Sequence, residues 1–276
     1  MGTLYVCGTP IGNLEDISLR VLRILREADC IAAEDTRHTL KLLNFYNITT
    51  PLTSYHEHNA HEKGPDLLRQ LKQDRNIALV SDAGMPCISD PGAALVKLCL
   101  DECIPVVVVP GPSALVTALA ISGTDTDRFV FEGFLPQKNK KRREILNELR
   151  GETRTIVIYE APHHLRETLA DLEQVLCNRF AILTRELTKS HEEIERGTLR
   201  DLIEQYTKKE PIGEYVIVIE ATGCQSPAEP DMSVQEHVAF YTAKGFTDME
   251  AIKQTAKDRG IGKREIYNAI KIKDPG

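Results

Sequence analysis

Apolar and polar positions along this chain follow two distinguishable rhythms. Short unbroken apolar runs predict strands at Leu4–Cys7, Cys30–Ala33, Ile77–Val80 and Val106–Val109, because four-residue runs bounded by turn residues are too short for helices. Between them, apolar residues recur every three or four positions. Ile17, Val21, Ile24 and Leu25 share one helical face, and further helices are predicted around residues 39–46, 93–100 and 114–121. The four valines after Pro105 are β-branched and bounded by prolines, which predicts a fully buried strand. Strands alternating with helices predict an α/β architecture with a mostly parallel sheet. Its ligands are expected at the loops that leave the strand C-terminal ends.

The small polar stretch 121–127 reads as a linker. A second unit follows, with strands at 129–131, 155–159, 180–184 and Tyr215–Ile219 and helices from Lys138, at 164–176 and near 199–206. A second linker, 224–230, precedes a short helical region. The expected organisation is an α/β domain over 1–123, a second over 124–224 and a small helical tail over 231–276.

Composition narrows the class. At 276 residues, 42% hydrophobic and 27% charged, the chain can bury a core without staples. With 5% aromatic residues and no Trp, it lacks the stacking platforms of single-strand-binding proteins. A net charge of −7 argues against a surface that clings everywhere to nucleic acid or lipid, but leaves room for local basic patches. The first seven residues lack the charged and apolar regions of a signal peptide, and no run approaches the roughly 20 apolar residues of a membrane span. A cytoplasmic protein is expected. Seven scattered cysteines read as reduced, buried thiols, and Cys99 with Cys103 lacks the second pair that zinc requires.

Three turns carry the first chemical signal. Gly8-Thr9-Pro10-Ile11-Gly12-Asn13 follows the first strand but is neither G-x-G-x-x-G nor a P-loop. Ser81-Asp82-Ala83-Gly84-Met85-Pro86 and Pro110-Gly111-Pro112-Ser113-Ala114 follow two later strands. Glycine and proline are ordinary chemistry for such connections. Three of them at three strand ends point further, to a small-molecule cleft built largely from main chain. Ser113 is placed to cap the next helix, and Asp82 adds a carboxylate at the same edge.

These turns, with Glu34-Asp35-Thr36-Arg37, Ser54-Tyr55-His56-Glu57-His58-Asn59 and Ile88-Ser89-Asp90-Pro91-Gly92, resemble the tetrapyrrole methylase superfamily. Within it they resemble the branch of ribosomal RNA small-subunit methyltransferases. The similarity continues through Phe131-Glu132-Gly133-Phe134-Leu135-Pro136, Tyr159-Glu160-Ala161-Pro162-His163, Thr184-Arg185-Glu186-Leu187-Thr188-Lys189 and Gly213-Glu214-Tyr215, covering roughly residues 1–222. The resemblance implies a two-domain fold, two α/β sheets with a cofactor cleft between them, and a homodimer. It also implies S-adenosylmethionine (S-adenosyl-L-methionine) as cofactor and a methyl acceptor in 16S rRNA of the small ribosomal subunit, the ribose 2′-oxygen of a decoding-region cytidine. It places the cofactor on Pro10, Asp82, Ala83, Gly84, Met85, Ile88, Ser113, Ala114, Tyr159, Glu160, Ala161 and Leu187. Their chemistry agrees in kind: Asp82 suits cationic groups, turn amides suit a carboxylate, and Met85, Ile88 and Leu187 suit adenine.

A sulfonium methyl is already activated, so the protein must mainly align it, while a sugar hydroxyl benefits from a base or a stabilising cation. Arg37 and Lys189 are expected to hold RNA phosphate or the reacting oxygen, with His56 or Glu57 as the base. Plainer accounts exist: Arg37 as an ion pair with Asp35, and Lys189 as a surface pair with Glu186. His56, His58 and His61 have a spacing that suits zinc or manganese, but this methyl transfer needs no metal, so none is expected. Basic residues concentrate in two places expected to touch RNA. One is Lys138, Lys140, Lys141, Arg142 and Arg143. The other, residues 251–273, holds seven Lys/Arg, including Lys257, Arg259, Lys263 and Arg264, against two acids. There Ala256, Gly260 and Ile266 have helix-turn-helix spacing. Two alternatives remain open: a C-methyltransferase acting on a tetrapyrrole precursor, and a ribosome-binding module without catalysis.

Overall fold

The computed structural model describes residues 1–137, 139–221, 233–243, 246–258 and 262–271, without the side chains of Asn139, Lys257, Asp258 and Lys271. The chain divides into two compact units, Met1–Cys224 and Gln225–Gly276.

The first unit contains two five-stranded sheets. Strands β1 (Leu4–Cys7), β2 (Cys30–Ala33), β3 (Leu52–Ser54), β4 (Ile77–Val80) and β5 (Val106–Val109) form the first, in the order β3-β2-β4-β1-β5 with every pair parallel. The two-residue period of a strand sends alternate side chains to opposite faces. Ile31, Ala33, Ala78 and Val80 meet α1 (Leu19–Glu27) and α2 (Thr36–Phe45) on one face. Leu4, Val6, Ile77 and Leu79 meet α3 (Ala60–Lys72) and α4 (Gly92–Asp101) on the other. Ser18 starts α1 by accepting the Val21 amide at 3.1 Å, and Asp35 starts α2 by accepting the Arg37 amide at 2.8 Å.

Helix α5 (Ala114–Ser122) leads into the second sheet, built from β6 (Phe129–Phe134), β7 (Thr155–Glu160), β8 (Phe180–Arg185), β9 (Glu193–Thr198) and β10 (Tyr215–Ile219). Its order is β6-β7-β10-β8-β9. Only β6–β7 is parallel, so the expectation of mostly parallel pairing holds for the first sheet and fails for the second. Strand direction depends on the path of each connection, and the hairpin β8–β9 brings the chain straight back. Helices α6 (Asn139–Leu149), α7 (Leu165–Leu176) and α8 (Leu199–Lys208) cover one face, over Ile156, Ile158, Leu183 and Ile217. Helix α5 covers the other through Ala118 and Leu119 against Val157, Ile182, Val216 and Val218.

Three expectations change at this level. β5 is an edge strand, so Val108 is 57% exposed and only Val109 is fully buried. Cys103 is exposed and Cys177 is disulfide-bonded, so the cysteines are not uniformly buried thiols. Arg142 points inward from α6: its Nε donates to Asp171 Oδ2 at 2.6 Å and its Nη2 to Thr168 Oγ1 at 2.8 Å. It is therefore a structural cation rather than an RNA contact.

The second unit packs α9 (Val234–Ala243), α10 (Asp248–Asp258) and α11 (Lys263–Lys271) around Val238, Ala251, Ala256 and Ile266. Ala256 and Ile266 meet in its core as their spacing predicts, while Gly260 lies outside the described residues. Among the described residues no helix is long and apolar enough to cross a membrane.

Removing Arg142 leaves Asp171 without its cation and takes from Thr168 the donor to its hydroxyl oxygen, in a largely buried site. Arg142→Ala should cost about 3 kcal/mol in urea unfolding. Lys140→Ala and Lys141→Ala, at exposed positions of the same helix, should stay within about 0.5 kcal/mol.

Candidate active site

The site begins where the first sheet changes direction. β1 leads across β4 to β2, and β4 leads across β1 to β5, so their connections depart to opposite sides. The crevice beyond such strand ends is the usual ligand position in α/β sheets. Here the Thr9 amide donates to the Gly84 carbonyl at 2.9 Å and the Gly84 amide to the Thr9 carbonyl at 3.1 Å. A Cβ on Gly8 would lie 2.7 Å from the Gly111 Cα, so the first and third turns touch backbone to backbone. The Gly111 amide donates to the Met85 sulfur at 3.2 Å, joining the second turn to the third. Gly84, at φ +79°, occupies the left-handed region that glycine adopts without strain.

Above this clasp lies a cavity of about 480 Å³, with walls from both sheets of the first unit. Asp82, Ala83, Gly84, Met85, Ile88, Ser113 and Ala114 line it from the first sheet's loops. Tyr159, Glu160, Ala161, Leu187 and Lys189 line it from the second sheet. Pro10 does not line it, although its neighbour Ile11 does. Glu186 lines it beside Lys189, and so do four residues to which the sequence assigned no role: Glu34, Asp90, Phe134 and Glu214. Glu34 had a signal, since it is the first polar residue after the apolar run of β2. Glu214 had none beyond its motif.

The walls are acidic, and most of their carboxylates are engaged. Asp82 Oδ1 accepts the Asp35 amide at 2.9 Å, while Glu34 Oε2 accepts the Asp82 amide at 3.5 Å, tying the end of β2 to that of β4. Burial, reinforced by Asp82, raises the Glu34 pKa above its ordinary value. Glu160 accepts the Ala161 amide at 2.7 Å and the Thr168 hydroxyl, so its side chain faces the fold and its main chain is left for a ligand. Lys189 Nζ donates to Glu186 at 2.9 Å and to Glu214 at 3.3 Å. Burial works against the Lys189 charge, but these two carboxylates outweigh it and raise its pKa. The Tyr159 hydroxyl accepts the Leu115 amide at 3.0 Å, anchoring the start of α5 to β7. Ser113 holds the N-cap position of α5 without a side-chain capping bond.

The other expected catalytic groups lie off the cavity wall. Arg37 is an exposed ion pair with Asp35 at 2.7 Å, which holds the Asp35 carboxyl well below its usual range. Glu57 is exposed, and His56 is half-buried with its backbone amide donating to Asn59 at 2.9 Å. Among the described residues no three His, Cys, Asp or Glu side chains form a metal-holding group. Of the basic residues, Lys140, Lys141 and Arg143 are exposed on α6, and Lys263 and Arg264 are exposed on α11. Lys138, Arg259 and the Lys257 side chain lie outside the described residues.

The family model for tetrapyrrole (corrin/porphyrin) methylases matches residues 3–203. The ribosomal RNA small subunit methyltransferase I of Halalkalibacterium halodurans is 49% identical over 97% of this chain and 94% of its own length. Its counterpart from Bacillus subtilis is 46% identical over 99% of this chain and 95% of its own. Among solved structures, the uroporphyrin-III C-methyltransferase of Thermus thermophilus, complexed with S-adenosyl homocysteine, superposes with a TM-score of 0.58. It is 18% identical over 79% of this chain and 97% of that one, a likeness of fold.

One contact between the first turn and the loop after β8 is tight enough to test. A Cβ on Gly12 would lie 2.5 Å from Lys189 Cγ and 2.7 Å from the Leu187 carbonyl oxygen. The lysine can move, but the carbonyl belongs to the backbone. Gly12→Ala should cost about 1–3 kcal/mol in thermal unfolding and speed amide exchange at Leu187–Lys189.

Proposed function

This chain belongs to the tetrapyrrole methylase family, and on that premise we propose that it methylates the ribose 2′-oxygen of a decoding-region cytidine in small-subunit rRNA. The cofactor is S-adenosylmethionine, which supplies an activated methyl group on a cationic sulfur. The observation that carries this reading is the acidic cavity at the switch point of the first sheet, in a chain whose near-full-length relatives bear rRNA methyltransferase names.

The cavity fits the cofactor on chemical grounds. Asp82 faces the cationic groups, because a carboxylate in a partly desolvated cleft favours an adjacent positive charge. The main chain of Ala83–Met85, Ser113 and Ala114 serves its carboxylate, and Met85, Ile88 and Leu187 receive the adenine. Glu160 and Ala161 contribute through the backbone, and Tyr159 holds the start of α5 in place. Lys189, charged and on the wall, stabilises the negative charge that develops on the attacking oxygen.

RNA phosphate is held outside the cavity. Lys140, Lys141 and Arg143 on α6 supply one cationic surface, and Lys263 and Arg264 at the start of α11 supply another. A homodimer belongs to the same proposal: Leu100, Val108 and Val116 leave large apolar side chains exposed on α4, β5 and α5. A ribosomal substrate places the protein in the cytoplasm.

The functional test is incubation with labelled cofactor and separate samples of small subunits, naked rRNA and porphyrinogen. Label in the rRNA of the subunits is expected, and label in porphyrinogen alone would refute the reading. Asp82→Asn keeps an acceptor for the Asp35 amide but loses the charge, so calorimetric cofactor affinity should fall by about tenfold or more. Charge reversal of Lys263 and Arg264 should weaken subunit binding and reduce its salt dependence by about one to two phosphate contacts. Cofactor affinity should not change in that variant.

A further inference from the structure

We propose that Glu34 accepts the proton of the attacking hydroxyl, which makes it a catalytic residue of the methyl transfer; this rests on the reading of a ribose oxygen as methyl acceptor. Among the described residues six carboxylates line the cavity, and five are already committed. Asp82 Oδ1 accepts the Asp35 amide at 2.9 Å, and Asp90 Oδ1 accepts the Gly92 amide at 2.7 Å. Glu160 takes the Ala161 amide and the Thr168 hydroxyl. Glu186 and Glu214 share the Lys189 ammonium. Among the described residues Glu34 accepts only the Asp82 amide, at 3.5 Å, and pairs with no cation. Its one bond is the longest of the set, at the limit of hydrogen-bonding distance, so its carboxylate is the most loosely held of the six and the readiest to accept an incoming donor.

The surroundings of Glu34 set its proton affinity. It directly follows β2, opposite Asp82 on the turn after β4; Asp90, also on the loop after β4, and His56, on the loop after β3, act on it from the neighbouring elements. Burial and the two aspartate carboxylates favour its protonated form, while the hydrogen bond from the Asp82 amide and the nearby His56 oppose them. A base needs such affinity, provided it is ionised at working pH. Lys189, the other titratable candidate on the wall, is held in its charged form and has no lone pair to offer.

In the transfer, Glu34 takes the hydroxyl proton as the oxygen–carbon bond forms and the carbon–sulfur bond breaks. The electron pair of the broken bond stays on sulfur, which becomes a neutral thioether, and the proton passes from Glu34 to solvent. Because the base must be ionised, the rate falls as pH drops through the raised pKa of Glu34.

Single-turnover methylation of small subunits across pH, paired with calorimetric cofactor affinity, tests this for wild type, Glu34→Gln and Glu34→Asp. Glu34→Gln keeps an oxygen for the Asp82 amide. Its rate should fall about 100-fold or more. The acidic limb should vanish, cofactor affinity should stay within about threefold, and Glu34→Asp should recover part of the rate with its limb. A Glu34→Gln rate near wild type overturns the inference. So does a loss of rate matched by an equal loss of cofactor affinity with the limb intact, which would mark a structural tie. Wild-type protein that binds cofactor but leaves every subunit unmethylated instead removes the functional reading, and the role of Glu34 with it.

Discussion

The rest of the site depends on three strand-end turns being able to touch through their backbones. Thr9 and Gly84 exchange two hydrogen bonds, while Gly8 and Gly111 approach closer than any side chain would allow. This clasp closes the crevice at the switch point of the first sheet and turns an open groove into a floor. It also explains why the turns are rich in glycine and proline. Main chain must serve as both structural contact and ligand surface, and a Cβ would occupy the space needed for both.

The floor alone would be a shallow depression. The second sheet supplies the opposite wall, and helix α5 joins the two by packing Ala118 and Leu119 on one face of that sheet. The Tyr159 hydroxyl on the Leu115 amide fixes where that helix begins. The ends of β2 and β4 are tied through Glu34 and Asp82, so several acidic groups meet within one partly desolvated volume. Like charges held together in this way favour a cation, a proton or both. A sulfonium cofactor and a proton-transfer step answer those two demands.

Much of this was legible in the sequence because the signals were local. The apolar runs of β1, β2, β4 and β10 and the three turns stood out without tertiary information, whereas the twelve expected cofactor residues, eleven of which line one cavity, came from the family resemblance. Where tertiary placement decides, local patterns misled. β9 is the polar segment EIERGT on a sheet edge, without the apolar run that marks a buried strand, and α3 carries Pro65 and scattered charge. Val106–Val109 has the composition of a central strand but lies at an edge. Arg142 sits among exposed cations in sequence, yet its helical position turns it toward Asp171. Arg37, His56 and Glu57 lie in polar motifs beside the cavity without reaching its wall. Glu34, three residues before Arg37, does reach it.

The central claim is that the clasp and its acidic wall form a cofactor site. A crystal structure of the protein with S-adenosylhomocysteine tests it most directly. The ligand is expected against the Asp82–Met85 and Ser113–Ala114 turns, with its adenine beside Met85, Ile88 and Leu187 and its sulfur on the acidic side. A ligand bound elsewhere, or a cavity left empty at saturating ligand, would contradict the claim.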